Sequence, residues 1–394
     1  MDASESRYRD WLEARRRSGL TRGLVHARPH APGAVTFGGR KYVNFSGNDY
    51  LGLSRHQLLI ERAKEWAQEY GAGAGASRLV TGNLDLFDGI ESKIAAFKQM
   101  PAALVMASGF QTNAAVLQAL LDKQVLGAEP IVFADRLNHA SMHFGCQAAG
   151  VRQQRYRHCD LQHLEGLLEK HENDERPKFV LTESVFSMDG DVAQMDQLAA
   201  LAKAHGATLI CDDAHATGVL GEGGKGLSDG ADIVIGTFSK AMGSYGAYVA
   251  CSETVRDYLI NRCSGLIYST ALPPAVLGAI DASLDLIGDL DNARARVGKF
   301  AANFRARAGK AGYDTGASQT QIVPLIVGEA DAALELSREL QDAGFWATAI
   351  RPPTVPKGTA RLRLAFSAAH REVDVDGLLD MLAARTKQRS LATA

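Results

Sequence analysis

The sequence predicts an α/β fold: a mainly parallel central sheet with helices on both faces, followed by a smaller C-terminal α+β domain. The first observation is a series of strand-length apolar runs: AALVMAS (102–108), PIVFAD (130–135), FVLTESVF (179–186), ATLICDDAH (207–215), DIVIGTFSK (232–240) and GAYVACS (246–252). The second is that helical periodicity fills several gaps between them, as in MDQLAALAKAHG (195–206). Continuous apolar runs are typical of strands buried on both faces, and parallel strands need such crossover connections.

The flanking segments predict the remaining elements. Before the apolar runs we expect a helix over 7–17, a short strand at KYVNFS (41–46) and a helix over 58–70. After Pro273 and Pro274 a long helical stretch leads to three strand-like runs: QIVPLIV (321–327), FWATAI (345–350) and ARLRLAFS (360–367). The expected division is an N-terminal segment (1–41), a large domain (42–287) and a small domain (288–394).

Composition excludes several classes of protein. The 394 residues carry a formal net charge of −2, so no basic excess indicates nucleic acid as a partner. No apolar run reaches the roughly 18 residues of a membrane span, and the charged N-terminus has no secretory signal. Five cysteines without a C-x-x-C pair favour a reducing cytoplasm and buried thiols over disulfides or a zinc framework. We therefore expect a cytoplasmic protein with no membrane or nucleic-acid partner and no metal.

Polar residues follow five of the apolar runs, where strands of a parallel sheet would end. They are Ser108–Phe110, Asp135 with Asn138–His139, Glu183 with Ser187–Asp191, Asp212–His215 and Thr237–Lys240. Ligands of open α/β sheets bind outside the carboxyl ends of the strands. Five such ends on one sheet predict a functional site.

Lys240 ends DIVIGTFSK and precedes a turn of small residues. Desolvation at the end of a buried strand would make its amine nucleophilic. The alternative is a lysine whose charged end reaches solvent at the edge of the sheet. Asp212 and His215 follow another buried run. A buried carboxylate needs a cation, for which a protonated pyridine nitrogen would serve, whereas a capped loop and a metal ligand set are the alternatives.

Two glycine-rich segments partly match nucleotide-binding motifs. GAGAGA (71–76) matches G-x-G-x-x-A but follows a helical pattern, and GEGGKG (221–226) matches G-x-G-x-x-G without a helix after it. The context of a dinucleotide fingerprint is missing in both cases. Both segments are interpreted as flexible turns that could line a site.

Five segments in this order resemble the α-oxoamine synthases, pyridoxal 5′-phosphate (PLP) enzymes of fold type I that join an amino acid to an acyl-CoA with loss of CO₂. They are NDYLGL (48–53), LNHAS (137–141), ESVFSMDGD (183–191), DDAHATG (212–218) and TFSKAMG (237–243). The resemblance runs from about Arg15 to His370. Within the family, IRPPTVPKGTARLRL (350–364) is most similar to the branch that serves biotin synthesis.

The resemblance implies roles for individual residues. Lys240 would hold PLP as a Schiff base and act as the general base, Asp212 would pair with the pyridine nitrogen, and His139 would stack on the ring. Ser187 and His215 would contact the phenolic oxygen of the ring. With Lys240, the residues His139, Asp212 and His215 form the expected catalytic group.

The resemblance also implies the phosphate and substrate contacts. The backbone of Gly109 and Phe110 would hold the phosphate together with Thr237, and Thr270 would reach it from the second subunit of a homodimer. Asn48 and Arg363 would bind the substrate carboxylate, and Arg22 would bind the far carboxylate of a pimeloyl chain.

The expected reaction is the condensation of L-alanine with pimeloyl-CoA or pimeloyl-acyl-carrier protein. Another α-oxoamine synthase, using glycine, serine or a different acyl-CoA, is the nearest alternative. A nucleotide-binding protein that uses the glycine-rich segments is the alternative from another class.

Overall fold

The computed structural model describes residues 3–393, with side chains for residues 4–388. By internal contacts the chain forms two compact units. We call Asn48–Ser187 with Asp191–Ala295 the sheet unit. The chain up to Gly47, together with Met188–Gly190 and the chain from Arg296 onward, is the split unit. The expected domain bounds, after residues 41 and 287, lie a few residues before these limits and remain predictions.

The split unit contains the N-terminal elements. They are α1 (Ala3–Arg17), β1 (Ala27–Ala31), β2 (Ala34–Phe37) and β3 (Arg40–Asn44). Strands β1, β2 and β3 form an antiparallel meander. The helix expected over 7–17 and the strand expected at 41–46 are thus both present.

The sheet unit is built on seven strands. They are β4 (Ala102–Met106), β5 (Ile131–Asp135), β6 (Gln153–Tyr156), β7 (Lys178–Glu183), β8 (Ala207–Asp212), β9 (Ile233–Thr237) and β10 (Ala247–Cys251). Their order is β4-β10-β9-β8-β7-β5-β6. Strand β10 is antiparallel to both of its neighbours, and the other six strands run in one direction. The mainly parallel sheet is confirmed.

Two features of this sheet were not predicted. Strand β6 has the sequence QQRY, which carries no apolar run, because it lies at the edge of the sheet and only Tyr156 is buried. The run at 246–252 is a strand, but it pairs antiparallel between β4 and β9. A run that is buried on both faces carries no information about its direction.

Helices cover both sides of the sheet. They are α2 (Gln57–Tyr70), α3 (Leu86–Lys98), α4 (Gly109–Leu120), α5 (Lys123–Leu126), α6 (Ala140–Ala148), α7 (Leu161–Glu169), α8 (Met195–Ala204), α9 (Glu253–Arg262), α10 (Ser264–Ile267) and α11 (Pro274–Ile287). Side-chain caps begin several of them: Ser108 caps α4, His139 caps α6, and Asp160 caps α7. These caps follow strand ends, so they place helix N-termini beside the functional edge of the sheet.

The C-terminal elements are α12 (Asp291–Lys310), β11 (Ile322–Gly328), α13 (Ala330–Asp342), β12 (Phe345–Trp346), β13 (Thr348–Ile350), β14 (Ala360–Ala365) and α14 (Glu372–Thr393). The run FWATAI is divided between two sheets of the split unit. Strand β12 pairs in parallel with β3, and β13 joins β11 and β14 in a three-stranded sheet. The division falls at Ala347, whose carbonyl accepts a hydrogen bond from Ser337.

The cysteines, all within the described range, are free thiols, and four of the five are buried. This agrees with the expectation of no disulfide framework, and the cytoplasmic location remains a prediction. Across residues 3–393 no helix combines the length and apolarity that a membrane crossing requires.

Candidate active site

The carboxyl ends of five parallel strands meet at one edge of the sheet unit. Strands β4, β5, β7, β8 and β9 all end there, because they share one direction. The polar residues expected at these ends therefore lie at a common edge. Strand β10 begins at the same edge, since its antiparallel register places Ala247 opposite Thr237.

The N-terminus of α4 and the end of β9 form the first part of the site. The Ser108 hydroxyl caps α4, so the helix begins at Gly109. A Cβ atom on Gly109 would lie 3.8 Å from Thr237 Cβ and 3.9 Å from its hydroxyl oxygen, which places the helix start against the Thr237 side chain. The Thr237 hydroxyl also lies 2.7 Å from the Ser239 hydroxyl. Helix N-terminal N–H groups beside a hydroxyl are suited to a phosphate.

His139 lies next to this helix start. The Phe110 and His139 rings are nearly perpendicular, with 6.5 Å between the ring centroids and an interplanar angle of 80°. Burial lowers the pKa of His139, and the positive charge of Lys240 lowers it further, against the opposing effect of Asp212. The structure thus brings His139, Asp212 and Lys240 into one electrostatic group.

Asp212 ends β8 and is 7% exposed. Its Oδ2 accepts a hydrogen bond of 2.6 Å from the Asn113 amide, and its Oδ1 accepts one of 3.0 Å from the backbone N–H of Ala214. Both donors are neutral. Because a buried carboxylate is costly without a cation, this arrangement favours a cationic ligand group.

Glu183 is the register partner of Asp212 on β7 and is also buried. Burial raises the pKa of Glu183 well above its usual value, and the charge of Asp212 raises it further. Its Oε1 atom is fully buried without a hydrogen-bond partner. We interpret Glu183 as the neutral member of the two neighbouring acids.

His215 belongs to a second hydrogen-bonded group at the same edge. Its Nδ1 atom lies 2.7 Å from the hydroxyl of Tyr50, which is fully buried. That hydroxyl also lies 3.2 Å from Asn48 Oδ1. The sequence motif NDYLGL is therefore joined to DDAHATG through Tyr50, which connects Asn48 and His215.

The remaining site candidates are placed as follows. Ser187 is half-buried and is the last residue of the first segment of the sheet unit. Thr270 is exposed and forms an isolated antiparallel β-bridge with Ser77. Lys240 is half-buried, three residues beyond the end of β9.

Arg22 and Arg363 belong to the split unit. Arg22 is exposed, and its guanidinium donates a hydrogen bond of 2.9 Å to the Thr354 hydroxyl. Arg363 is 7% exposed on β14. Two residues away, Arg361 pairs with Asp189 at 2.5 Å, so a second buried arginine on this strand has a carboxylate partner.

Sequence reasoning missed Asn113, Ser141 and Tyr50 as parts of the site. Ser141 and Tyr50 lie inside quoted motifs but carried no assigned role. Asn113 follows Gly109 by four residues on α4, which places both on the same face of the helix. The local sequence gives little signal, because Asn113 directly follows the polar residues Gln111 and Thr112 at the start of α4.

Asp213 was named in the sequence only beside Asp212 and has a different environment. It is fully buried and accepts four hydrogen bonds, from Lys98, Ser184, Thr217 and the backbone N–H of Leu227. Burial alone would lower the pKa of Lys98, but the charge of Asp213 outweighs this and raises it.

The segment GEGGKG completes that environment. A Cβ atom on Gly226, where φ is +98°, would lie 1.7 Å from Asp213 Oδ2. A side chain there is therefore excluded both by the backbone conformation and by the carboxylate. The carbonyl of Lys225 accepts a further hydrogen bond from Lys98. Packing against Asp213 thus explains this glycine-rich segment as a turn.

Asp135, His158 and Cys159 offer three ligand atoms within 4.8 Å of one another, which is close enough to hold a metal ion. However, both ring nitrogens of His158 already face carboxylates: Nδ1 lies 3.0 Å from Asp135 and Nε2 lies 2.7 Å from Asp191. Burial lowers the pKa of His158, but these two hydrogen bonds outweigh it and raise the pKa to about 12. We interpret this group as a buried ion pair.

Comparison with known proteins extends these observations. The family model described as aminotransferase class I and II matches residues 40–382. An 8-amino-7-oxononanoate synthase of Gluconacetobacter diazotrophicus is 53% identical over 95% of this chain and 95% of its own length. One of Geobacter sulfurreducens is 44% identical over 93% and 94% of the two chains.

Solved structures show the same similarity. A structure of SPT with PLP has a TM-score of 0.90 and 26% identity, and it covers 98% of this chain and 99% of its own. The 8-amino-7-oxononanoate synthase of Francisella tularensis has a TM-score of 0.76 and 26% identity, covering 89% of this chain and 99% of that one. The fold and nearly the whole length of the chain are therefore shared with these proteins.

Proposed function

This chain belongs to the class I and II aminotransferase family and, within it, to the PLP-dependent α-oxoamine synthases; we propose that it condenses L-alanine with a pimeloyl thioester in biotin biosynthesis. The products are 8-amino-7-oxononanoate, CO₂ and the free thiol. The relatives named above support this pair of substrates, since they match over nearly their whole length.

Asp212 is the observation that carries the proposal. It is a buried carboxylate whose two hydrogen-bond donors are neutral, at the edge where five strand ends meet. A protonated pyridine nitrogen would supply a cationic partner for it. The start of α4 beside Thr237 suits the phosphate of the same molecule. The residues present thus fit PLP at both ends of its ring.

When bound, the cofactor takes up the electron pair released at the α-carbon of the amino acid. Residues of the chain itself attach the cofactor, move the proton and orient the ring. Lys240 is the covalent attachment point and, once freed, the base that removes the α-proton. Asp212 would hold the positive charge of the ring nitrogen, and His139 would stack on the ring. Ser187 and His215 contact the phenolic oxygen, and His215 is oriented by Tyr50.

The backbone N–H groups of Gly109 and Phe110, with the Thr237 hydroxyl, bind the phosphate in this proposal. Asn48 and Arg363 bind the carboxylate of alanine, for which a planar guanidinium is well matched. Arg22 binds the far carboxylate of the pimeloyl chain. Its guanidinium has five N–H donors, of which one is given to Thr354 in the structure.

The first experiment measures amino-acid-dependent thiol release by the purified protein from pimeloyl-CoA. Alanine should support turnover, glycine and serine should support far less, and Lys240→Ala should support none. The protein should be yellow, and borohydride should bleach it and label Lys240. A colourless protein would contradict PLP binding. Faster release with glycine or serine would contradict only the alanine assignment.

A second set of thioesters tests Arg22. Arg22→Ala should raise the KM for pimeloyl-CoA and leave the KM for alanine nearly unchanged. Loss of one charge-assisted contact is worth about 1.5–3 kcal/mol, or about one to two decades in kcat/KM. Arg16→Ala, on the exposed last turn of α1, is the matched control. An unchanged preference for pimeloyl-CoA over a fatty acyl-CoA of equal length would remove Arg22 from the site.

We also propose that the enzyme is a homodimer in which Thr270 reaches the phosphate of the partner's site. Its exposed position, two residues after the 84% exposed Tyr268, supports a contact outside its own unit. Mixing inactive Lys240→Ala with Thr270→Ala subunits should restore one intact site per heterodimer. A fully active monomer in sizing experiments would contradict this arrangement.

A further inference from the structure

We propose that Asn113 and Ser141 are positioning residues that hold His139 as a neutral imidazole with its proton on Nε2. The inference rests on the proposed function only for its purpose, which is to present an uncharged ring to the protonated pyridine ring of the cofactor. The tautomer itself follows from the hydrogen bonds of the sheet unit.

Two buried side chains, Asn113 and Ser141, connect Asp212 to His139. The Asn113 amide nitrogen lies 2.6 Å from Asp212 Oδ2 and 3.0 Å from the Ser141 hydroxyl oxygen. That hydroxyl oxygen lies 2.6 Å from His139 Nδ1. Asn113 is 2% exposed and Ser141 is fully buried, so water does not substitute for these contacts. The chain of contacts therefore runs within the protein.

The chemistry of the groups sets the direction of each hydrogen bond. A carboxylate only accepts, so the atom of Asn113 that faces Asp212 at 2.6 Å is the amide nitrogen and not its oxygen. The same nitrogen gives its second proton to Ser141, whose oxygen accepts. The hydroxyl proton of Ser141 is then available for His139 Nδ1.

A backbone hydrogen bond independently shows that His139 Nδ1 is an acceptor. His139 is the N-cap of α6, and its Nδ1 atom accepts a hydrogen bond of 3.3 Å from the backbone N–H of Ser141. A backbone N–H only donates. A nitrogen that accepts from both the hydroxyl and the N–H of Ser141 carries no proton of its own. The proton of the neutral ring is therefore on Nε2.

Burial of the ring favours its neutral form. Burial and Lys240 lower the pKa of His139, Asp212 opposes them, and His143 on α6 is a further titratable neighbour. The Glu183 carboxyl is a further buried acid, close to the His139 backbone. Because protonation of Nδ1 would also break both hydrogen bonds from Ser141, the cap itself opposes the charged form.

The test is ¹⁵N NMR of the histidine rings in the holoenzyme without substrate. His139→Gln identifies the signals by their loss. We expect a protonated-type shift for Nε2 and an unprotonated-type shift for Nδ1 in the wild-type protein. In Ser141→Ala both shifts should move toward the average of the two tautomers, and Ser141→Thr, which keeps the hydroxyl, should restore them. Asn113→Leu should act as Ser141→Ala does, since the serine hydroxyl loses its donor.

Two controls separate positioning from general destabilisation. Thr112→Val removes a buried hydroxyl next to Asn113 that donates to the Ser108 carbonyl, and Cys146→Ala removes a buried thiol on α6. Both should leave the His139 signals unchanged. We expect kcat to fall about tenfold in Ser141→Ala, with the KM for alanine unchanged.

A protonated Nδ1 in the wild-type protein would overturn the proposal, whether or not any variant folds. An unchanged tautomer in both Ser141→Ala and Asn113→Leu would overturn the roles of these residues. Failure of the proposed substrate pair would alter thiol release and leave the ring signals as they are, so the two failures are distinguishable.

Discussion

Asp212 and Asp213 are adjacent buried carboxylates with opposite environments. Asp213 accepts four hydrogen bonds, including one of 2.7 Å from the buried ammonium group of Lys98. Asp212 accepts two, both from neutral groups. A change of one position along the chain thus separates a carboxylate with an ammonium donor from one whose two hydrogen-bond donors are both neutral.

The hydrogen-bond donors of the two carboxylates distinguish a structural acid from a functional one. Asp213 ties α3, β7 and the turn at 221–226 to the end of β8, and its charge is balanced within the protein. Asp212 is oriented by two neutral donors, an arrangement that suits a cationic ligand group. Asp213 thus holds the turn at 221–226 in place, and Asp212 is the carboxylate available to the ligand.

The largest effect is expected from Asp212→Asn. A neutral amide cannot hold the charge of a protonated ring nitrogen, and breaking a buried charge pair costs about 3–5 kcal/mol, equivalent to roughly two to four decades in rate. Thiol release with alanine and pimeloyl-CoA measures this loss. Near-native turnover would show that another residue pairs with the ring.

Lys98→Met should show the reverse pattern. It leaves Asp213 buried without its cation, which costs about 3–5 kcal/mol of folding free energy in denaturant unfolding. Turnover per folded molecule should change less than tenfold. Lys93→Met is the matched control on the same helix, since its ion pairs with Asp281 and Asp285 are partly exposed and worth about 1 kcal/mol or less. Equal losses in the two variants would remove the distinction between the two aspartates.

His158 extends the comparison to carboxylates that depend on a titratable partner. Its raised pKa means that its pairing with Asp135 and Asp191 contributes fully below about pH 6.5 and is lost as the pH rises toward 12. Unfolding free energies should therefore fall above pH 6.5, by at most about 1.4 kcal/mol per pH unit, since partial solvent access weakens the pair.

His158→Gln should flatten that pH dependence, and His205→Gln, a half-buried histidine at the end of α8, should not. Unfolding curves at several pH values between 6 and 9 measure the difference. A pH slope that survives in His158→Gln would assign it to other groups.

Local sequence patterns were sufficient to predict the sheet, its strand ends and the polar residues that follow them. Continuous apolar runs predicted the buried strands, and a shared strand direction implies that Asp212, Thr237 and Lys240 lie at one edge. The resemblance to a family added roles that single residues do not reveal. The sequence around Lys240, for example, is equally compatible with a lysine whose charged end reaches solvent.

Which of the two adjacent aspartates receives an ammonium donor, and which receives only neutral donors, depends on the tertiary structure. Lys98 lies 115 positions before Asp213, and Asn113 lies 99 before Asp212. No periodicity encodes such pairs, because they depend on how helices α3 and α4 pack on the sheet. The antiparallel direction of β10 and the division of 345–350 between two sheets were decided in the same way. Local patterns report burial and period, whereas the choice of partner depends on three-dimensional packing.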